Sequence, residues 1–473
     1  MLALVLGVAA PTPAAAADPA DDGFRLTPSI GWSRDKERID LSISTRGRIE
    51  WWNAFANTTD AFYALRTRVG LKYAYDDLLT LFAEYQNVEL WSLSPSGGGA
   101  NGLYWTHSGM RSSAHDDSLR QFYAELRPVE GLALRGGRFD IKGGTEVMYP
   151  EANWKYLKIQ RASQRLVGTV GWTHVERSNE GLSTAYDFGD HHLYAFAARP
   201  TTGVFDADDA YHRQDGITYG GLQWTVKRDV AIPDTELRFF ALDYDDDRST
   251  RDGGLASAVH VYTVGLSSIG IYPVGPGNFD LFAWFAGQWG RYDGLDHLAA
   301  AGILEVGYQF PDVFMKPWFR LGVNIASGDG DPNDGDHNTF FNMLPTNHLY
   351  YGFADQFAFQ NLVNYIAQLM LQPHEKVNIN LMLHHFKLQD KDDVRYGGTG
   401  AFNKDSFGFV TTANPRRTTN AATEIDAVLN VNVRKGVSVQ AGYAHIWSHT
   451  VFQSPPLADD DVDFGYVQVS LSY

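Results

Sequence analysis

Cysteine is missing from all 473 residues, which removes any disulfide framework, thiolate nucleophile or zinc–thiolate site. Positive charge is scarce. Lys and Arg number 39 against 56 Asp and Glu, a net −17, and this excludes a nucleic-acid partner, because phosphate binding needs a basic surface. Beyond the N-terminus no apolar run reaches the ~18 residues that a membrane-spanning helix requires. No G-x-S-x-G, H-E-x-x-H or phosphate-cradling glycine loop occurs. Neighbouring residues on a strand face opposite ways, so neither His191-His192 nor His384-His385 ligates one metal from a regular strand.

Aromatic residues (14%) and glycine (46 residues) are plentiful, while mean hydropathy is only −0.27. A bundle of membrane helices is far more apolar. A membrane β-barrel is not, since half of each strand faces lipid and half faces water. Residues 316–388 display that pattern. Trp318, Arg320, Gly322 and Asn324 fall on one face of a strand, with Phe319, Leu321, Val323 and Ile325 on the other. A long stretch of Gly, Asp, Asn and Pro follows, alternation resumes, and the next link is only Gln372-Pro373-His374-Glu375. Lipid-exposed backbone must close its hydrogen bonds in a helix or a barrel, and without helices the barrel remains.

The same period of two predicts strands at 39–52, 62–75, 78–91, 118–128, 132–141, 170–187, 191–199, 218–227, 235–244, 256–272, 278–289, 298–310, 316–326, 359–371, 376–388, 421–433, 437–447 and 462–473. The expected fold is therefore all-β, a single transmembrane antiparallel barrel of about 18 strands with short periplasmic turns and long extracellular loops. Turns such as Tyr75-Asp76-Asp77, Val129-Glu130-Gly131 and Arg434-Lys435-Gly436 alternate with polar links at 92–117, 142–169, 200–217, 245–255, 327–358, 389–420 and 448–461. Loops sorted by parity in this way are not a general property of all-β proteins. The chain finishes on alternating apolar residues and Tyr473, in the manner of an outer-membrane terminal strand. Trp51-Trp52, Trp91, Tyr272 and Trp447 near strand ends fit interfacial girdles. Residues 1–17 read as a secretory signal, with an apolar core at 2–10 and small residues at 14–17, although no Lys or Arg precedes Arg25. Residues 18–38 form a periplasmic lead-in and 39–473 the barrel.

Projected inward, the alternation puts Arg46, Arg48, Arg66, Arg68, Lys72, Arg127, Arg135 and Arg320 in the lumen, with Arg138 if Gly136-Gly137 forms a bulge. Glu50, Glu84, Glu125, Glu424 and Asp426 point the same way, and His174 and Glu176 read as further lumen lining. A guanidinium keeps its charge at any physiological pH and offers paired donors that match a carboxylate. A ring of them in a low-dielectric wall attracts a polyanion. The neighbouring acids keep the arginines extended and prevent a polyanion from stalling. Salt-bridge ladders that only hold the lumen open are the plainer account of the same charges. Asp329, Asp331, Asp334 and Asp336, spaced by glycines, place oxygens as calcium accepts them, but no Glu closes the loop at the EF-hand distance. Either a structural calcium or a solvated loop fits.

The run Ala326-Ser327-Gly328-Asp329 to Asp336, then Phe340-Phe341, Pro345, His348, Tyr350-Tyr351-Gly352 and Asp355, resembles the alginate-export porin family. Gln164-Arg165-Leu166-Val167-Gly168, Leu134-Arg135, Gly137-Arg138 and Glu424-Ile425-Asp426 extend the resemblance over most of the chain. It implies an electropositive constriction for a uronate polymer and periplasmic secretion partners. It also implies a pore plug from a long periplasmic segment late in the chain. Here the corresponding turn, Arg434-Lys435-Gly436, is minimal, which moves any gate to 92–117 or 142–169. The expected function is an outer-membrane channel for an anionic polysaccharide such as alginate, surrounded by lipid and lipopolysaccharide and without catalysis. The alternatives are an anion-selective uptake porin for small acidic solutes and a barrel enzyme.

Overall fold

The computed structural model describes residues 30–34, 36–54, 58–95, 99–248, 258–398, 410–452 and 461–473. The predicted signal segment lies outside the described residues. Alternating polar and apolar side chains draw the chain into one sheet of twenty strands. Two of these are minor: Ile30–Arg34 folds back on the first long strand, and Asp336–His337 lies along the outer end of a later one.

Eighteen strands form the closed wall: β1 Glu37–Ala54, β2 Thr58–Tyr75, β3 Leu79–Trp91, β4 Ser113–Val129, β5 Leu132–Phe139 and β6 Asn179–Phe188 come first. Next are β7 His191–Pro200, β8 Ile217–Val226, β9 Thr235–Asp246, β10 Val259–Val274, β11 Gly277–Tyr292 and β12 Leu295–Gln309. The last are β13 Trp318–Ala326, β14 Leu362–His374, β15 Val377–Leu388, β16 Asn420–Arg434, β17 Val437–Ser448 and β18 Val462–Ser472. All neighbours pair antiparallel, and β18 returns to β1, with Gln468 opposite Arg48. Tyr473 finishes the closure by exchanging two backbone hydrogen bonds with Ile43, at 2.8 and 3.1 Å.

Closure satisfies every ladder, so the outer face can be apolar. Leu298 (70% exposed), Leu182 (69%) and Leu321 (62%) stand on it, where lipid replaces water. No helix among the described residues is long and apolar enough to cross a membrane. The turn–loop alternation has exceptions at the extracellular end, where only three residues separate β1 from β2. β11 and β12 meet at the extracellular end through Asp293-Gly294 alone, both with positive φ (53° and 84°), a conformation that Asp-Gly supplies for a two-residue hairpin.

Among the strands that start later than their alternation predicts, two follow residues in left-handed backbone. Residues 170–178 leave the wall because Val170 and Glu176 adopt positive φ (59° and 61°), and β6 begins only at Asn179. Likewise Asn361 (φ 45°) delays β14 to Leu362. Trp52, expected at an interfacial girdle, is instead inside, 2% exposed, with its ring 4.3 Å from that of Phe464.

The long loops fold into the barrel. The connection before β4 carries helix α1 (Ala100–His107), and residues 140–178 carry helix α2 (Ala152–Leu157). Tyr104 of α1 joins Phe62, Val88, Leu90, Val170, Val175 and Phe205 in an apolar cluster on one side of the extracellular half. On the other side Trp284, Phe340, Phe359, Phe386 and Phe464 belong to a second, larger cluster. Loops 140–178 and 327–361 also bond to each other: Gly168 N donates to Leu344 O at 2.8 Å, and Leu344 N to Leu166 O at 2.9 Å.

Candidate functional site

The lumen wall of β1, β2 and β4 carries five arginines that converge on loop 140–178. Arg46 donates to the carbonyls of Gly171 (2.9 Å) and Thr173 (2.6 Å), and Arg48 to that of Trp172 (2.6 Å). Below them Glu176 receives Arg66 at 2.5 Å, Arg68 at 2.7 Å and Arg120 at 2.8 Å. Burial by itself raises the Glu176 carboxyl, but Arg68, Arg120 and Arg66 outweigh it and hold the group well below its ordinary value. Arg46, Arg48, Arg66 and Arg68 therefore point inward as alternation requires, and in this closed arrangement they grip the protein's own loop.

Arg120 was not visible in the alternation. The β3–β4 register shifts between Glu84 and Tyr85, and the extra β4 residue turns Arg120 inward beside Gln121. Its guanidinium also reaches Glu84 (2.7 Å) and Asp140 (2.7 Å). No bulge forms at Gly136-Gly137. The β5 pairing runs one-to-one from Arg135 to Phe139, so Arg138 shares the outer face of Leu134 rather than entering the lumen, and it pairs with Glu180 of β6.

A stack ties the two inserted loops together. Arg48 lies 3.6 Å above the Trp172 ring, Trp172 stacks on His348 at 3.8 Å, and His348 on Phe353 at 4.8 Å. Across the barrel, Glu305 of β12 accepts from Arg161 (2.6 Å) and Arg165 (3.3 Å) of loop 140–178, and Arg320 pairs with Asp280 at 2.6 Å. No local pattern marks Arg161, Arg165 or Glu176 as an anchor, because their partners are distant in sequence. Glu424 accepts the Ala354 amide of loop 327–361 at 2.9 Å, while Asp426 faces His384 at 3.5 Å. Gly352 permits that docking: a Cβ there would stand 2.2 Å from Glu424 Oε2.

Open space survives in the periplasmic half. A cavity of about 580 Å³ is lined by Lys72, Arg127, Arg135, Lys142, Glu125, Tyr123 and Tyr194 among others. Arg127 reaches Glu125 at 2.6 Å, and Arg135 pairs with the same carboxylate while lying 4.5 Å above the Tyr123 ring. The acidic loop outside is knit by its own backbone. Asp329, Asp331 and Asp334 accept the amides two residues on, at 3.1, 3.3 and 2.9 Å, the last from Asp336. Among the described residues no three His, Asp or Glu side chains are grouped to hold a metal ion.

A closed eighteen-strand antiparallel barrel with loops folded into a charged lumen defines an outer-membrane porin. The chain belongs to the alginate-export family, whose profile matches residues 56–455. Several solved porins share the fold. OccK8 (OprE) of Pseudomonas aeruginosa is 12% identical with a TM-score of 0.56, over 92% of this chain and 98% of that one. OccAB2 of Acinetobacter baumannii is 12% identical with a TM-score of 0.58, over 92% and 98%. Pseudomonas aeruginosa OpdK with vanillate is also 12% identical, with a TM-score of 0.56 over the same shares. No curated protein sequence matches the chain significantly. Family and fold together place it in the bacterial outer membrane as a channel.

Proposed function

We propose that the channel passes carboxylate-bearing polysaccharide, uronate chains of the alginate type, along its arginine-lined lumen without altering them. The observation that carries this reading is the Glu176 carboxylate gathered by Arg66, Arg68 and Arg120. The wall is already a carboxylate receptor, and its occupant is a loop. A uronate chain repeats the same group along its length, so it can take over these donors as the loop withdraws. Family membership supports the same substrate class.

A second reading, passage of small acidic solutes, is favoured by the loops folded into the lumen and by a cavity of about 580 Å³ beside them, which suits one small molecule. OpdK, solved with vanillate, is a neighbour in fold. Single-channel recording in planar bilayers separates the two. The polymer reading expects current that oligouronate blocks, with block weakened in Arg66→Gln/Arg68→Gln. Current indifferent to oligouronate but blocked by a monomeric carboxylic acid would replace it with the second reading.

A further inference from the structure

Resting on the uronate reading, we propose that the cavity in the periplasmic half is a binding site for an acidic sugar, and that solute engages the protein from the periplasmic side. The lumen is unequal end to end. Its extracellular half is sealed by packed apolar groups, Phe62, Val88, Leu90 and Tyr104 on one side and Trp284, Phe340 and Phe359 on the other. Its periplasmic half holds the cavity of about 580 Å³, with a lining of four Lys and Arg against three Asp and Glu.

The cations stand close to the periplasmic turns. Lys72 precedes the β2–β3 turn, and Arg127 and Arg135 flank the β4–β5 turn. The acids are already matched: Glu125 by Arg127 and Arg135, Asp140 by Arg120 at 2.7 Å, and Glu146 by Arg238 at 3.2 Å. An incoming anion therefore meets cations without first displacing an unpaired acid. Arg127 is 54% exposed, and each guanidinium has more donors than Glu125 occupies. Tyr123 and Tyr194 add aromatic faces beside those donors. A pyranose uronate presents what such a site needs, an apolar C–H face for a ring and a carboxylate for a guanidinium. The site lies on the periplasmic side of the Glu176 clamp, so a chain held here is poised to compete for Arg66 and Arg68.

The test is side-specific block. The chain has no cysteine, so a single Asp190→Cys in the β6–β7 turn, biotinylated, reports channel orientation by which chamber of streptavidin reaches it. Oligouronate is then added to one chamber at a time. Block from the periplasmic chamber at a concentration about tenfold or more below that needed from the extracellular chamber is expected, the loss of one charge-assisted hydrogen bond being worth that much. Arg127→Gln/Arg135→Gln should raise the periplasmic blocking concentration by a similar factor. Equal block from both chambers, or an unmoved periplasmic block in the double variant, would overturn the site while leaving the channel reading intact. No block from either chamber would overturn the uronate reading itself. The asymmetry is read with every lumen residue native, so it does not depend on the double arginine variant folding.

Discussion

The Arg68 guanidinium stands 2.7 Å from the Glu176 carboxylate, joining the barrel wall to the loop that fills it. Arg66 and Arg120 complete the clamp from β2 and β4, and Arg48 of β1 adds a stacked contact to Trp172 of the same loop. Wall and loop are separable in principle, because the wall's ladder closes without the loop.

Glu176→Gln should release that loop. Removing one partner of a buried charge cluster costs ~3–5 kcal/mol, and here the loss falls on the loop contact rather than on the barrel. Open-channel occupancy should rise, and trypsin should cut faster at Arg161, Arg165 and Arg177, while the barrel stays folded by gel mobility. Unchanged gating together with unchanged protection would count against the clamp.

Acid should loosen the two inserted loops in a fixed order. The arginines depress the Glu176 carboxyl below its ordinary 4.5, so its contribution is present above that value and is lost only as pH falls through the lower, folded one. His337 in loop 327–361 behaves differently. Burial, then the charge of His297 whose Nδ1 lies 2.9 Å away, pushes its imidazole down from 6.5 to about 3. Its neutral form is favoured in the fold, so that contribution is full above 6.5 and falls away as pH drops toward 3. Tyr292, stacked on it at 3.9 Å, is the other close group. Hydrogen exchange compared at about pH 7 and pH 5 should show loop 327–361 opening while 163–178 stays protected. The reverse order would refute this assignment.

The outer wall makes its own prediction. Leu321→Arg places a charge in lipid on β13, where it is 62% exposed, and should cost ~2–4 kcal/mol in refolding into lipid vesicles. A variant as stable as the parent would mean that this face does not meet lipid.

What was legible in the sequence followed from the strand period. Arg46, Arg48, Arg66, Arg68 and Arg320 face inward because side chains alternate wherever pairing is regular. Arg120 escaped because its bulge depends on how β4 pairs with β3, which no local pattern announces. Arg138 was misplaced for the complementary reason: a Gly-Gly pair permits a bulge without requiring one, and none forms. The clamp was illegible because Val170 and Glu176 take left-handed backbone without glycine, and the energy that holds them there comes from arginines more than a hundred residues earlier for Arg66 and Arg68.

The central claim is that arginines, not the net charge of −17, govern what the lumen admits. The zero-current potential across a tenfold KCl gradient tests it directly. Anion selectivity is predicted, with the potential moving toward zero in Arg66→Gln/Arg68→Gln. A cation-selective potential in the parent protein would contradict the account.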